Sequence, residues 1–165
     1  MYRNGHLGTS LLLYAPVGYL LVGSRPLLAL LGGVVVVSLA SFPDIDHRLP
    51  VVSHRGVTHS LLFAAGVGVV GWVAGTLLGG LAIQPVTLGG TTVSPALFLG
   101  FLGAYGILAH LAGDVITPAG VPLLWPLSTT LSLSVVGADN TVANYGLLVA
   151  GVLATGAALA AGVPG

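Results

Sequence analysis

Apolar residues in this chain fall in long blocks, and the polar ones crowd into the gaps between a few of them. A helix that crosses a bilayer needs about 20 mostly apolar residues. Five stretches approach or exceed that length. They are Leu7 to Val22, interrupted by Pro16; Pro26 to Phe42, after Arg25 breaks the run; Ser60 to Ile83; Ser94 to Ile116; and Thr141 to Val163. The segment from Thr117 to Asn140 is semi-apolar but broken by Pro118, Pro122 and Pro126. Unsatisfied backbone cannot face lipid, so this segment is predicted to be a re-entrant or interfacial loop. The expected fold is an all-α polytopic membrane protein of about five helices, a single domain covering residues 1–165.

Composition sharpens the class. The hydrophobic set makes up 55% of 165 residues and the charged set 5%, against about 25% charged in a soluble domain. Eight charged side chains cannot cover a water-facing surface, which excludes a soluble globule, a disordered chain and a coiled coil. The net charge is zero and lysine is absent, so no basic patch exists for a phosphate backbone and no nucleic-acid partner is expected. The bilayer itself is the expected partner. With no cysteine, disulfides, thiolate zinc sites and a thiol nucleophile are excluded. The first apolar stretch lacks a small-residue cleavage site before Arg25 and leads at once into the second, so it is read as a retained helix. Gly71, Gly75 and Gly79 form a small-residue stripe at helical spacing, a signature of close helix packing.

The placement of polar residues then turns the picture toward chemistry. Of the arginines, aspartates and histidines, Asp44, Asp46, His47, Arg48, His54, Arg55 and His59 lie in one connector, and His110 and Asp114 end the fourth stretch. Arg3 and His6 precede the first; Arg25 and Asp139 stand apart, and the connector from Gln84 to Val93 has no charge at all. Counting crossings puts His6, the connector and His110/Asp114 on one face of the membrane. With the N-terminus inside, Arg3, Arg48 and Arg55 are cytoplasmic and Arg25 is outside, as the positive-inside rule favours. Each ionisable group in the hydrocarbon core costs about 2.5–3.5 kcal/mol, so several together must be wet, paired or on a metal. Histidine and aspartate without sulfur suit zinc, manganese or iron.

Within these clusters, His110 and Asp114 at i, i+4 share a helix face and can reach one ion, or simply hydrogen-bond each other. Asp44 and Asp46, two residues apart, can both enter a cavity, or one can ligate while the other orients a ligand or takes a proton. In His54-Arg55-Gly56-Val57-Thr58-His59-Ser60, two histidines flank an arginine suited to phosphate or carboxylate oxygens. The bland alternative makes Ser53 or Thr58 a helix cap. His6 alone would be an interfacial histidine; its shared face raises it to a ligand candidate. Asp139 reads as the cap of the fifth helix, and Trp72 and Trp125 as packing or interfacial anchors.

At these residues the sequence resembles the YdjM-like family of membrane-bound metal-dependent hydrolases. The likeness runs from His6 through Phe42-Pro-Asp-Ile-Asp-His47, His54-Arg-Gly-Val-Thr-His-Ser60 and His110-Leu-Ala-Gly-Asp114 to Trp125-Pro126. More distantly, His110 to Pro118 resembles the zinc-dependent phospholipase C and S1/P1 nuclease group, helical enzymes that cleave phosphodiesters with three zincs. By motif, that resemblance implies His6, Asp46, His59, His110 and Asp114 as ligands, with Asp114 between two ions and Asp44 able to replace Asp46. Gly120 stands where that group has a further histidine, so one or two divalent ions, zinc first, are expected rather than three. The resulting expectation is a hydrolase acting on a phosphoester or lipid-linked substrate through metal-activated water. Asp44 or His54 moves the proton and Arg55 steadies developing charge. A transporter would instead hold its polar residues at the bilayer midplane in broken helices. A metal-binding scaffold would keep an ion without hydrolysis.

Overall fold

A computed structural model describes residues 1–48, 54–80, 85–88 and 90–163. Five helices dominate it: α1 (Arg3–Val22), α2 (Pro26–Leu39), α3 (Leu61–Gly79), α4 (Pro95–Val115) and α5 (Thr141–Gly162). All five are long and apolar enough to cross a membrane when the turn following α2 is counted with it, as the hydrophobic blocks predict. Local chemistry sets several of the starts. Proline opens α2 and α4, where a missing N–H costs nothing. Ser60 and Ser94 cap α3 and α4 by accepting the amides of Phe63 and Leu97. The cap of α5 is Asn140, whose Oδ1 accepts the Ala143 amide at 2.9 Å, and not Asp139 as its sequence suggests. Ser53, the other candidate cap, lies outside the described residues.

Helix packing rests on glycine. A methyl group added to Gly71 would strike the Leu99 carbonyl, and one added to Gly75 would strike the backbone at Pro95 and Ala96. The predicted stripe is therefore the α3–α4 seam, except that Gly79 meets Pro95 only at an ordinary 3.9 Å. The same device joins α1 to α5, where Gly8 and Gly151 leave no room for a side chain on the facing backbone. Without a hydrophobic driving force in lipid, close backbone approach is what holds such pairs. α1 meets α2 differently. Tyr14 lies against Gly32 and Gly33, and its hydroxyl donates to the Ala29 carbonyl at 2.6 Å.

α4 is central: 50% of its most apolar stretch is buried, against 6% for α5, whose flanks face outward. Phe98 and Leu102 join Tyr14, Leu21 and Val36 in one apolar cluster; Ile107 and Leu111 join Ala64 and Val121 in another. The uncharged connector between α3 and α4 contains a short antiparallel hairpin, β1 (Val86–Leu88) and β2 (Thr91–Val93), turning at Gly90 with φ +85°.

The proline-broken segment from 117 to 140 leaves α4 and rejoins α5 at the same end of the bundle. It is held there by a Val121–Leu131 bridge, by Leu133 donating to the Val115 carbonyl and by the Leu61 amide donating to the Leu123 carbonyl. Tyr2 donates to Asn144 Oδ1, which sets the start of α5 beside the start of α1. One end of the bundle thus collects the starts of α1, α3 and α5 and the ends of α2 and α4.

Candidate metal centre

The site is built at that end from four pieces of chain. After α2 a 3-10 turn, Pro43–Arg48, carries Asp44, Asp46 and His47. A second short turn, Val57–His59, carries Thr58 and His59 into α3. The last turn of α4 presents His110 and Asp114, and the first turns of α1 present His6. His6, Asp46, His59, His110 and Asp114 are each at most 2% exposed, whereas Asp44 is about one-third exposed at the rim.

Four donor atoms converge. His59 Nε2 lies 3.3 Å from His110 Nε2, 3.4 Å from Asp44 Oδ1 and 3.5 Å from Asp114 Oδ2. His110 Nε2 lies 3.5 Å from Asp114 Oδ2 and 3.8 Å from Asp44 Oδ1. The tautomers follow from the outer partners. His110 Nδ1 is 2.7 Å from the Ala40 carbonyl, which can only accept, so Nδ1 carries the proton. Thr58 Oγ1 donates to Asp46 Oδ2 at 2.8 Å and so accepts from His59 Nδ1 at 3.0 Å. In the neutral form of each ring the Nε2 atom is then the lone pair, and the two Nε2 atoms face each other and two carboxylates. A shared cation would satisfy all of these atoms at once. A tetrahedral zinc with bonds of about 2.0–2.1 Å has ligand–ligand edges of about 3.3 Å, close to these separations. The side chains present can hold a metal ion, and Ala40, Thr58 and Asp46 are the outer partners that orient metal-binding imidazoles.

His6 adds a second group. Its ring stacks on His110 at 3.9 Å, and both its nitrogens are buried without a hydrogen-bond partner among the described residues. Its Nε2 stands 3.5 Å from Asp114 Oδ1, so Asp114 faces His59 and His110 with one oxygen and His6 with the other. The same Oδ1 accepts from Arg55 Nη2 at 3.1 Å and contacts the Met1 amine.

Arg55 is held in a strained backbone conformation, φ 59°, which non-glycine residues rarely adopt. Its amide donates to Asp46 Oδ2 at 3.0 Å and its Nη1 to the Gly120 carbonyl at 2.6 Å, so three bonds fix the residue. Strain of this kind, of order 1–3 kcal/mol, persists where the surroundings over-determine it. His54 is partly exposed; its Nδ1 meets Asp46 Oδ1 at 2.9 Å and its ring stacks on His47 at 3.6 Å.

The structure brings together at this end the residues expected to ligate or to act in catalysis: His6, Asp44, Asp46, His54, Arg55, His59, His110 and Asp114. The sequence reading puts Asp46 among the ligands with Asp44 able to replace it, and the geometry favours the replacement: Asp44 meets the Nε2 side of His59, and Asp46 the Nδ1 side. Sequence reasoning counted His47 in the connector but gave it no role, and with Asp44 and His54 this residue forms another group of donors within 4.8 Å of one another. Sequence reasoning also took Thr58 for a possible cap, although its place beside His59 was the available signal.

Five apolar helices around a buried His/Asp cluster define a multi-pass membrane protein with a candidate metal centre. The family follows from comparison: residues 1–163 match the model described as YdjM inner membrane protein, and the chain belongs to that family. It is 33% identical over 102 residues to the inner membrane protein YdjM of Escherichia coli strain K12, covering 51% of this chain and 43% of the relative. The Shigella flexneri protein of the same name matches to the same extent. The aligned region thus spans less than half the length of these curated relatives. No solved structure matches the chain.

Proposed function

We propose that this protein is a membrane-bound, metal-dependent hydrolase of phosphoesters. The observation that carries the reading is that the Nε2 atoms of His59 and His110 lie 3.3–3.8 Å from each other, from Asp44 Oδ1 and from Asp114 Oδ2, with a fixed guanidinium alongside. Those four side chains would hold the ion, zinc by its preference for a four-donor nitrogen and oxygen set, with manganese and iron as the alternatives. His6 with Asp114 Oδ1 offers donors to a second ion. When bound, such an ion supplies Lewis acidity and lowers the pKa of water in its shell.

The remaining roles fall to the chain's own groups. Asp46 orients His59 from its Nδ1 side and braces the Arg55 amide. Arg55 presents planar donors to a phosphoryl oxygen, with its own position set in advance by Gly120 and Asp114. His54, at the exposed edge and steadied by Asp46, exchanges a proton with the medium. We assign the site to the cytoplasmic face, because Arg3, Arg48 and Arg55 belong to this end and Arg25 to the other.

Purified full-length protein should carry near-stoichiometric divalent metal and cleave phosphomonoester or phosphodiester substrates faster than carboxyl esters. Asp114→Ala should lose both metal and activity. Metal retained in that variant overturns the ligand set. Metal without hydrolysis across all three substrate classes leaves a metal-binding membrane protein and overturns the enzymatic reading.

A further inference from the structure

α1 and α2 are joined by the Tyr14–Ala29 hydrogen bond toward the start of α2, and a cleft opens between them at the site end. The cleft has a volume of about 730 Å³, within the range of small-molecule sites. Its chemistry is divided. Arg3, Ser38, Ser41 and Asp44 supply the polar wall, and Leu7 and Phe42 are among the apolar residues. Asp44 also belongs to the donor group with His59 and His110, so the polar end of the cleft abuts the candidate metal centre. No carboxylate pairs with Arg3 among the described residues. Val37 lines both this cleft and a second, almost wholly apolar hollow of about 240 Å³ that runs on past Leu11, Leu30 and Val34 toward Leu159. A mouth lined by one arginine, one carboxylate and two serines therefore continues into an apolar groove among α1, α2 and α5.

We propose that the α1–α2 cleft binds a membrane lipid bearing a phosphate headgroup. The phosphate lies between Arg3 and the metal centre, and an acyl chain follows Leu7, Val37 and Leu11 into the groove. This names the substrate class of the site and rests on the reading of that site as a phosphoester hydrolase. An arginine–phosphate contact is a charge-assisted, geometrically specific bond, and the groove supplies the apolar contact that a water-soluble phosphoester cannot use. Arg3 is then a specificity-determining residue and not a metal ligand.

The test uses the full chain in nanodiscs and a phosphatidic acid carrying a photoreactive group in its acyl chain. Crosslinks should concentrate on the α1 and α2 segments around Leu7, Leu11, Val34 and Val37. The matching photoreactive diacylglycerol, with the same tails and no phosphate, should label them far less. Glycerol 3-phosphate should compete poorly. Arg3→Gln should weaken phosphatidic acid binding roughly tenfold, and Ser38→Phe, which fills the cleft, should abolish the crosslinks. Both variants should keep the metal content of the parent. Equal labelling by diacylglycerol, labelling spread over the outer faces of α3 and α5, effective competition by glycerol 3-phosphate, or an unchanged Arg3→Gln would each overturn the proposal. Metal content measured in parallel separates the two readings: metal without cleft labelling sinks only the lipid site, and cleft labelling without metal sinks only the hydrolase.

Discussion

The α3–α4 seam and the cluster at its end use opposite means of bringing chain together. Along the seam, Gly71 and Gly75 let two backbones approach until no methyl group fits, and no charge is involved. At the cluster, polar side chains meet instead: the His110 and His59 rings are oriented by hydrogen bonds to the Ala40 carbonyl and to Thr58, which itself donates to Asp46. The seam is built from backbone contact alone; the cluster is a set of donors that could hold a cation. Stability of the bundle and occupancy of the site should therefore respond to different perturbations.

The sharpest separation comes from a ligand. His59→Ala should cut metal affinity by more than the roughly 100-fold that outer partners govern. The helical circular dichroism of the protein should persist, because His59 lies in a short turn outside the glycine seams. Loss of helicity together with metal would merge the two regions and break the contrast. Gly75→Val should do the reverse. Its side chain meets the Pro95 and Ala96 backbone, and overpacking costs about 1–3 kcal/mol or more. Thermal unfolding in detergent should fall sharply, while the protein that remains folded keeps its metal.

Two smaller effects refine the outer shell and the helix ends. Thr58→Val removes the acceptor for His59 Nδ1 while keeping the volume, and should weaken metal binding about 10–100-fold with little change in unfolding. An unchanged affinity would show that Asp46 alone fixes the imidazole. At the start of α5, Asn140→Ala should cost about 1 kcal/mol, as the loss of a cap does, and Asp139→Asn close to nothing. Equal effects in the two would return the capping role to Asp139.

The contrast also explains what was legible in the sequence. Helix number and approximate bounds came from apolar length, which lipid enforces almost without regard to partners. The glycine stripe spelled out one seam because period and residue size alone decide it. Parity gathered His6, the 44–59 connector and His110/Asp114 on one face, since crossings can be counted without coordinates. The division of labour between Asp44 and Asp46 was hidden. Both sit in one 3-10 turn, and which meets the Nε2 of His59 depends on the path of a turn whose shape has no periodic signature. The role of Thr58 was hidden for a related reason: a threonine beside a helix start has an ordinary use as a cap, and only the position of Asp46 displaces it.

Gly120 gives the segment between α4 and α5 a different character from most surface connections. Its φ of +60° and the crowding of Leu131 and Ser132 leave no space for a side chain there, and its carbonyl anchors Arg55. Three residues on, the Leu123 carbonyl receives the first amide of α3. Loops ordinarily absorb inserted residues with small entropic loss. Here an epitope tag spliced between 118 and 123 would displace Arg55 and unseat a helix start in one stroke, whereas the exposed stretch at 127–130 offers a graft point free of both duties.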